Sequence, residues 1–242
     1  MVEITEKEKL SAMVLTRIDR FHPAGLLELY HRLGSATAVL EHKDNIRDVI
    51  PDASRYLIDG LKHIDEAQRR AEAELEYDQK HNISVLTFDD PRYPQRMKEC
   101  SDAPLVLYFL GNADLNQLHT INIVGTRRCT NYGKDIIRSF VRDLQKLCPN
   151  VLIFSGLAYG VDITAHCEAL VNGQDTVGVL AHGLDDIYPR AHRETAIYML
   201  KQGGLLTEYM THTEPFAKNF VRRNRIVAGC SDATILVERA AK

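Results

Sequence analysis

No C-x-x-C pair occurs among the five cysteines (Cys100, Cys129, Cys148, Cys167, Cys230), which are odd in number and widely spread. That argues against a disulfide framework or a zinc ribbon and fits thiols in a reducing compartment. No apolar run approaches the roughly 18 residues a membrane helix needs, and the opening MVEITEKEKL is too charged for a signal peptide. The expectation is a cytoplasmic protein with no membrane partner. Also missing are a P-loop, a G-x-G-x-x-G turn, a G-x-S-x-G elbow and any metal-ligand spacing. No metal, no cofactor and no catalytic activity are therefore expected. A strong charge of either sign is lacking too, since the net charge is −3. Its distribution is uneven: residues 1–80 hold 12 Lys/Arg against 16 Asp/Glu, the rest 18 against 17, so any basic surface lies in the later part.

What is present is ordinary globular composition, 45% hydrophobic and 26% charged, enough for a sizeable core over 242 residues. Residues 8–75 carry apolar positions at helical spacing in KLSAMVLTRI, GLLELYHRL and SRYLIDGLKHI, broken at His22-Pro23, Gly34-Ser35 and Pro51. IDEAQRRAEAELEYDQK is a polar helix with one apolar seam, expected to join two domains. From Ile83 short apolar runs take over: ISVLTF, LVLYFLG, TINIVG, VLIFSG, TVGVLAHG, GLLTEY and ATILVE. From Thr120 onward they alternate with single helices, the pattern of βαβ units. The expected fold is α/β, an extended Rossmann-like parallel sheet with helices on both faces. A small all-α domain (SAM/helix-hairpin-helix-like) over 1–75 precedes the Rossmann-like domain over 76–242.

Ligands of such sheets bind beyond the carboxyl ends of the strands. Gly125 and Arg127 in IVGTRRCTNYG place a close backbone approach and a permanently charged fork there, suited to phosphate; a tight turn with solvated arginines would look the same. SGLAYGVDITAHCEAL supplies Ser155 and Gly156 at the next strand end, with Asp162 and His166 four residues apart. A Ser155/Asp162/His166 hydrolase would need the serine on an elbow, so the Asp and His are expected to orient each other or the loop. Arg190 follows Tyr188-Pro189 on the same edge. In PFAKNFVRRNRIVAG four cations, Lys218, Arg222, Arg223 and Arg225, interleave with Phe216 and Phe220. Phosphate-tracking charge beside aromatic faces suits single strands, although two phenylalanines at this spacing could equally be a core stripe.

Taken together, DPRYPQRMKECSDAPLVLYFLG, IVGTR, SGLAYGVDITAH, GLDDIYP, LLTEY and FVRRNRIVAG, in that order, resemble the DNA-processing protein A (DprA, or Smf) family. The resemblance covers nearly all of 83–242 and more loosely 8–75. It implies an extended Rossmann fold that binds single-stranded DNA, protects incoming strands in natural transformation, hands them to the RecA recombinase and works as a homodimer. Carried over, the DNA-binding residues are Gly125, Arg127, Ser155, Gly156, Arg190, Lys218, Phe220, Arg222, Arg223 and Arg225. Two departures stand out. The family's glycine-containing N-terminal hairpin is replaced by His22-Pro23-Ala24 before a single Gly25, so phosphate contact there is not expected. The chain also stops just after ATILVE, where relatives continue, which implies a truncated carboxyl end and leaves dimerisation and RecA loading open. The alternative is a nucleotide-processing enzyme of the phosphoribohydrolase type; its P-G-G-x-G-T-x-x-E loop is missing, and GGLLTEY keeps only Glu208. A pure interaction scaffold would not call for arginines at a strand edge.

Overall fold

A computed structural model describes residues 4–18 and 23–239. The chain divides into two compact units, one of residues 1–93 and 98–107, the other of 94–97 and 108–242. Among the described residues no helix is long and apolar enough to cross a membrane.

The first unit is built on helices α1 (Glu6–Leu15), α2 (Pro23–Leu33), α3 (Ala36–Glu41), α4 (Ile46–Val49), α5 (Arg55–Lys62) and α6 (Asp65–Lys80), followed by a short strand β1 (Ser84–Thr87). Gly34 takes a positive φ of 81° after α2, and the Ser35 hydroxyl accepts the Ala38 N–H to start α3. The Glu8 carboxylate adds a second cap by accepting the N–H groups of Ala36 and Thr37 at 2.7 and 2.9 Å. Of the expected N-terminal hairpin, Arg20, Phe21 and His22 lie outside the described residues, while Pro23, Ala24 and Gly25 form the first turn of α2. The helix expected to link two domains is instead part of this unit. Its seam of Ala71, Glu74, Leu75 and Asp78 is buried, and it packs on α1; the unit therefore runs on past residue 75.

That seam contains an unusual group. Asp78 is 1% exposed, and neither carboxylate oxygen has a hydrogen-bond partner. Burial, then the like charge of Glu74, push its pKa up to about 8, against the weaker pull of Arg70.

After α7 (Gln95–Lys98), the second unit contains β2 (Val106–Gly111, from Tyr108 on), β3 (Thr120–Gly125), α8 (Asn131–Leu147), β4 (Leu152–Ser155), α9 (Val161–Val171), β5 (Thr176–Val179), a 3-10 turn at Arg190–His192, α10 (Arg193–Met199), β6 (Gly203–Thr207), α11 (Ala217–Gly229) and β7 (Ala233–Val237). Its sheet runs β2-β6-β5-β4-β3-β7. From β3 onward every pairing is parallel, but β2 lies antiparallel to β6, with Tyr108 opposite Thr207. The sheet is thus mixed rather than parallel throughout, because only the strands after Thr120 are joined by helical crossovers.

Side chains alternate between the faces. Ile121, Ile123, Ile153, Ile235 and Val237 pack with Ile137, Val141, Ala165 and Ala169 of α8 and α9. The intervening Asn122, Val124 and Thr234 face α11 on the other side. Strands β4 to β6 extend to one side of β3 and β7 to the other, so the chain direction switches between β3 and β7, where open α/β sheets leave a crevice.

Because the native fold holds Asp78 protonated well above the range of an unfolded aspartate, the unfolded chain binds fewer protons between about pH 4 and pH 8. Stability contributed here is complete below that window and falls with rising pH by up to about 1.4 kcal/mol per unit. Asp78→Asn should remove this decline and raise the urea midpoint at pH 8 while changing it little at pH 4.5. Equal midpoint shifts at both pH values would show that the carboxyl is not held neutral.

Candidate nucleic-acid interface

The β3–α8 loop carries Arg127 and Arg128 and is held at both ends by Glu238. The Glu238 carbonyl accepts the Thr126 N–H at 3.2 Å, and its carboxylate accepts the Thr130 N–H at 2.9 Å and the Thr130 hydroxyl. Those hydrogen bonds hold the Glu238 pKa below the usual carboxylate range. Between these anchors Arg127 is exposed, with its guanidinium 5.2 Å from the centre of the Phe220 ring, a cation–π distance. The Phe220 ring in turn meets Tyr188 edge-on at 5.8 Å. The three side chains edge a cleft of about 590 Å³ that runs under α11, with Asn122, Gly125, Thr234 and Asn224 also in its walls. Asn122 donates to the Thr234 hydroxyl at 2.9 Å across the β3–β7 pair.

The expected site residues divide sharply. Gly125, Arg127 and Phe220 line the cleft. Arg190, Lys218 and Arg222 are exposed outside its walls, on the 3-10 turn and on α11. Four others are corrected from contact to support. Ser155 has no exposure and its hydroxyl donates to the Ile123 carbonyl at 2.6 Å, stapling β4 to β3. Gly156 is buried against the Arg223 guanidinium, which occupies the space a Cβ would need. Arg223 itself is only 3% exposed and donates to the carbonyls of Gly156, at 2.5 Å, and Val179. Arg225 is held in an ion pair with Glu208 at 2.5 Å, both side chains largely covered. Adjacent residues of a helix point about 100° apart, so with one face of α11 on the sheet Arg222 meets solvent and Arg223 does not.

Arg223 sits opposite Asp162. Burial raises the Asp162 pKa, opposed by the Arg223 charge and by the N–H groups of Ala158 and Gly156, which it accepts at 3.4 and 3.1 Å. Burial likewise lowers Arg223, to about 10, still protonated at neutral pH. Asp162 thus orients the β4–α9 loop, as one of the two expected roles had it. His166 does not pair with it: the Thr176 hydroxyl donates to the Ile153 carbonyl at 2.9 Å and accepts from His166 Nδ1 at 2.7 Å. Complete burial pushes the His166 pKa down to about 3, so its ring is neutral.

Sequence reasoning read Tyr188 only as part of a turn, and it passed over Asn122, whose amide in the otherwise apolar TINIVG was the available signal. Asn224 stands among the cations of the basic segment, whereas Thr234 left no comparable mark.

The family model for DNA recombination-mediator protein A matches residues 84–242. The chain belongs to this family. Among family members, it is 40% identical to Protein Smf of Synechocystis over 69% of this chain and 43% of that protein. It is 34% identical to DNA processing protein DprA of Streptococcus pneumoniae, over 67% and 56%. The chain spans about half the length of these curated relatives. Among solved family structures, the X-ray structure of the S. pneumoniae DprA superposes with a TM-score of 0.79 at 27% identity, covering all of this chain and 80% of that one. DNA processing protein A from Helicobacter pylori, described for its single-stranded DNA binding mode, superposes at 0.59 with 32% identity over 66% of this chain and 71% of that one. The match begins inside the first unit and takes in every strand described above.

Removing Arg223 would leave the buried carbonyls of Gly156 and Val179 without their donor, at about 1–3 kcal/mol for each unsatisfied group. Arg223→Ala should therefore lower the urea midpoint strongly, whereas Arg222→Ala one residue earlier should leave it near wild type. Equal midpoints for the two variants would remove Arg223 from its structural role.

Proposed function

We propose that this chain binds single-stranded DNA without sequence preference in the cleft at the β3–β7 switch point, and that it acts by binding rather than by turnover. The observation that carries this reading is the Arg127 guanidinium resting on the Phe220 ring at the mouth of the cleft, beside Tyr188. A permanent cation next to aromatic faces offers phosphate attraction and base stacking at one place, the combination that suits unpaired strands. Gly125 lines the cleft at the end of β3, and Arg190, Lys218 and Arg222 extend the positive surface outside the cleft. Two cations of the basic helix, Arg223 and Arg225, are already engaged with protein groups and are left out of the DNA contacts.

The single-strand binding mode described for the H. pylori relative agrees with this. The chain would act in DNA processing during transformation. It would shield incoming strands and pass them to the RecA recombinase as a homodimer, in the cytoplasm. The helical N-terminal unit would stand apart from the DNA cleft. Glu208, the residue an alternative phosphoribohydrolase would need, has its carboxylate committed to Arg225, which favours the binding reading.

With three or four phosphates neutralised, log affinity for oligo-dT should fall with log salt at a slope of about −2 to −3, and a matched duplex should bind more weakly. Losing a charge-assisted phosphate contact costs about 1.5–3 kcal/mol, so Arg127→Ala should weaken oligo-dT binding by roughly ten- to a hundredfold without shifting the melting temperature much. Arg128→Ala, outside the cleft walls, should do far less. Equal affinity for duplex, or two arginine variants that bind like wild type, would place the DNA elsewhere. Sustained hydrolysis of a nucleotide that Glu208→Ala abolishes would replace this reading with the enzymatic one.

A further inference from the structure

We propose that Tyr159 is a second base-stacking platform, which takes an unpaired nucleobase adjoining the phosphate held by Arg127; this rests on the single-strand reading above. The ring is 49% exposed at the carboxyl edge, on the loop between β4 and α9. It meets one side chain edge-on, His192, at 4.9 Å and 71°. His192 is buried and its Nδ1–H donates to the Leu157 carbonyl at 2.8 Å, so the group that sets the tilt of the tyrosine is itself locked.

The loop carrying the ring is as firmly held. Leu157 and Gly160 take positive φ angles of 56° and 78°, the Ala158 carbonyl accepts the Ile163 N–H at 3.1 Å, and the Ala158 N–H is held by Asp162. A ring presented on fixed backbone loses little freedom when a base settles on it. A tyrosine placed for packing would be buried, and this one is half exposed.

Position makes the surface relevant to DNA. The Val161 N–H donates to the Thr126 carbonyl at 3.1 Å, and Gly160 lies so close to the carbonyls of Thr126 and Arg127 that a side chain there would collide with them. The loop of Tyr159 is therefore bonded directly to the backbone that carries Arg127. Arg127 touches Phe220 through its side chain and adjoins the Tyr159 loop through its main chain. One cation between two aromatic surfaces matches the alternation of phosphate and base along a strand. Stacking of this kind is tolerant of base identity.

The chain contains no tryptophan, so Tyr159→Trp supplies a lone tryptophan whose emission is separable from that of the tyrosines. On titration with an oligo-dT of about 15 nucleotides, its emission should be quenched in step with binding followed by anisotropy of a labelled oligonucleotide. Tyr159→Ala should lose about five- to tenfold in affinity while keeping the wild-type salt slope, because stacking releases no counterions. Tyr159→Phe should stay within about twofold of wild type, since the π-face remains. Thermal melts of the full chain check that each variant is folded. Unquenched tryptophan in a saturated complex, wild-type affinity for Tyr159→Ala, or a reduced salt slope in that variant would each overturn the platform. Failure of the wild-type chain to bind oligo-dT at all would instead overturn the single-strand reading on which it rests.

Discussion

Burying a guanidinium is unfavourable by several kcal/mol unless its charge and its donors are met inside the protein. Arg223 meets that condition by donating to the carbonyls of Gly156 and Val179, at the ends of β4 and β5, and by facing Asp162. These bonds fasten α11 across the carboxyl edge. Asp162 uses its own oxygens on the N–H groups of Gly156 and Ala158, so the same charge pair that sets the helix also sets the β4–α9 loop. The loop then bonds back to Thr126, next to Arg127. The cleft walls thus share one buried electrostatic centre, which explains why the space beside it is open without being collapsible.

A division of labour among the basic residues follows. Arginine is favoured in both roles, buried and exposed, because its planar fork can satisfy fixed carbonyls as well as phosphate. Along α11 the helical period turns Arg223 toward the sheet and Arg225 toward Glu208, while Lys218 and Arg222 stay in solvent. The near-neutral chain can therefore present a local cationic edge, since Arg223 and Arg225 are met inside the protein while Arg127, Arg190, Lys218 and Arg222 are exposed.

The first unit solves a different problem. Its short helices are individually marginal and depend on caps such as Ser35 and the Glu8 carboxylate on α3. Asp78 works against that economy, as an uncompensated carboxyl in the seam of α6 that the fold keeps neutral. Its pH dependence belongs to this unit; in the second unit His166 is neutral and Arg223 charged at neutral pH.

Much of the α/β half was legible in the residues themselves. Seven apolar runs correspond to the seven strands found among the described residues, because short apolar runs bounded by turn residues are what sheet strands require. The ordered landmarks pointed to the family for the same stretch that the family model matches. Local signals also marked Gly34-Ser35 as a helix boundary, since capping is a property of neighbouring residues. The antiparallel pairing of β2 left no trace in its own pattern, because a buried strand reads alike in either direction. Nor did composition show which cations of the basic segment are free. Arg222 and Arg223 are adjacent and chemically identical, and only the sheet beneath α11 decides that one meets solvent and the other the carbonyls of Gly156 and Val179. Charge type and spacing are sequence properties; whether a charge is available to a ligand depends on distant backbone brought alongside it, and that is settled only by the tertiary structure.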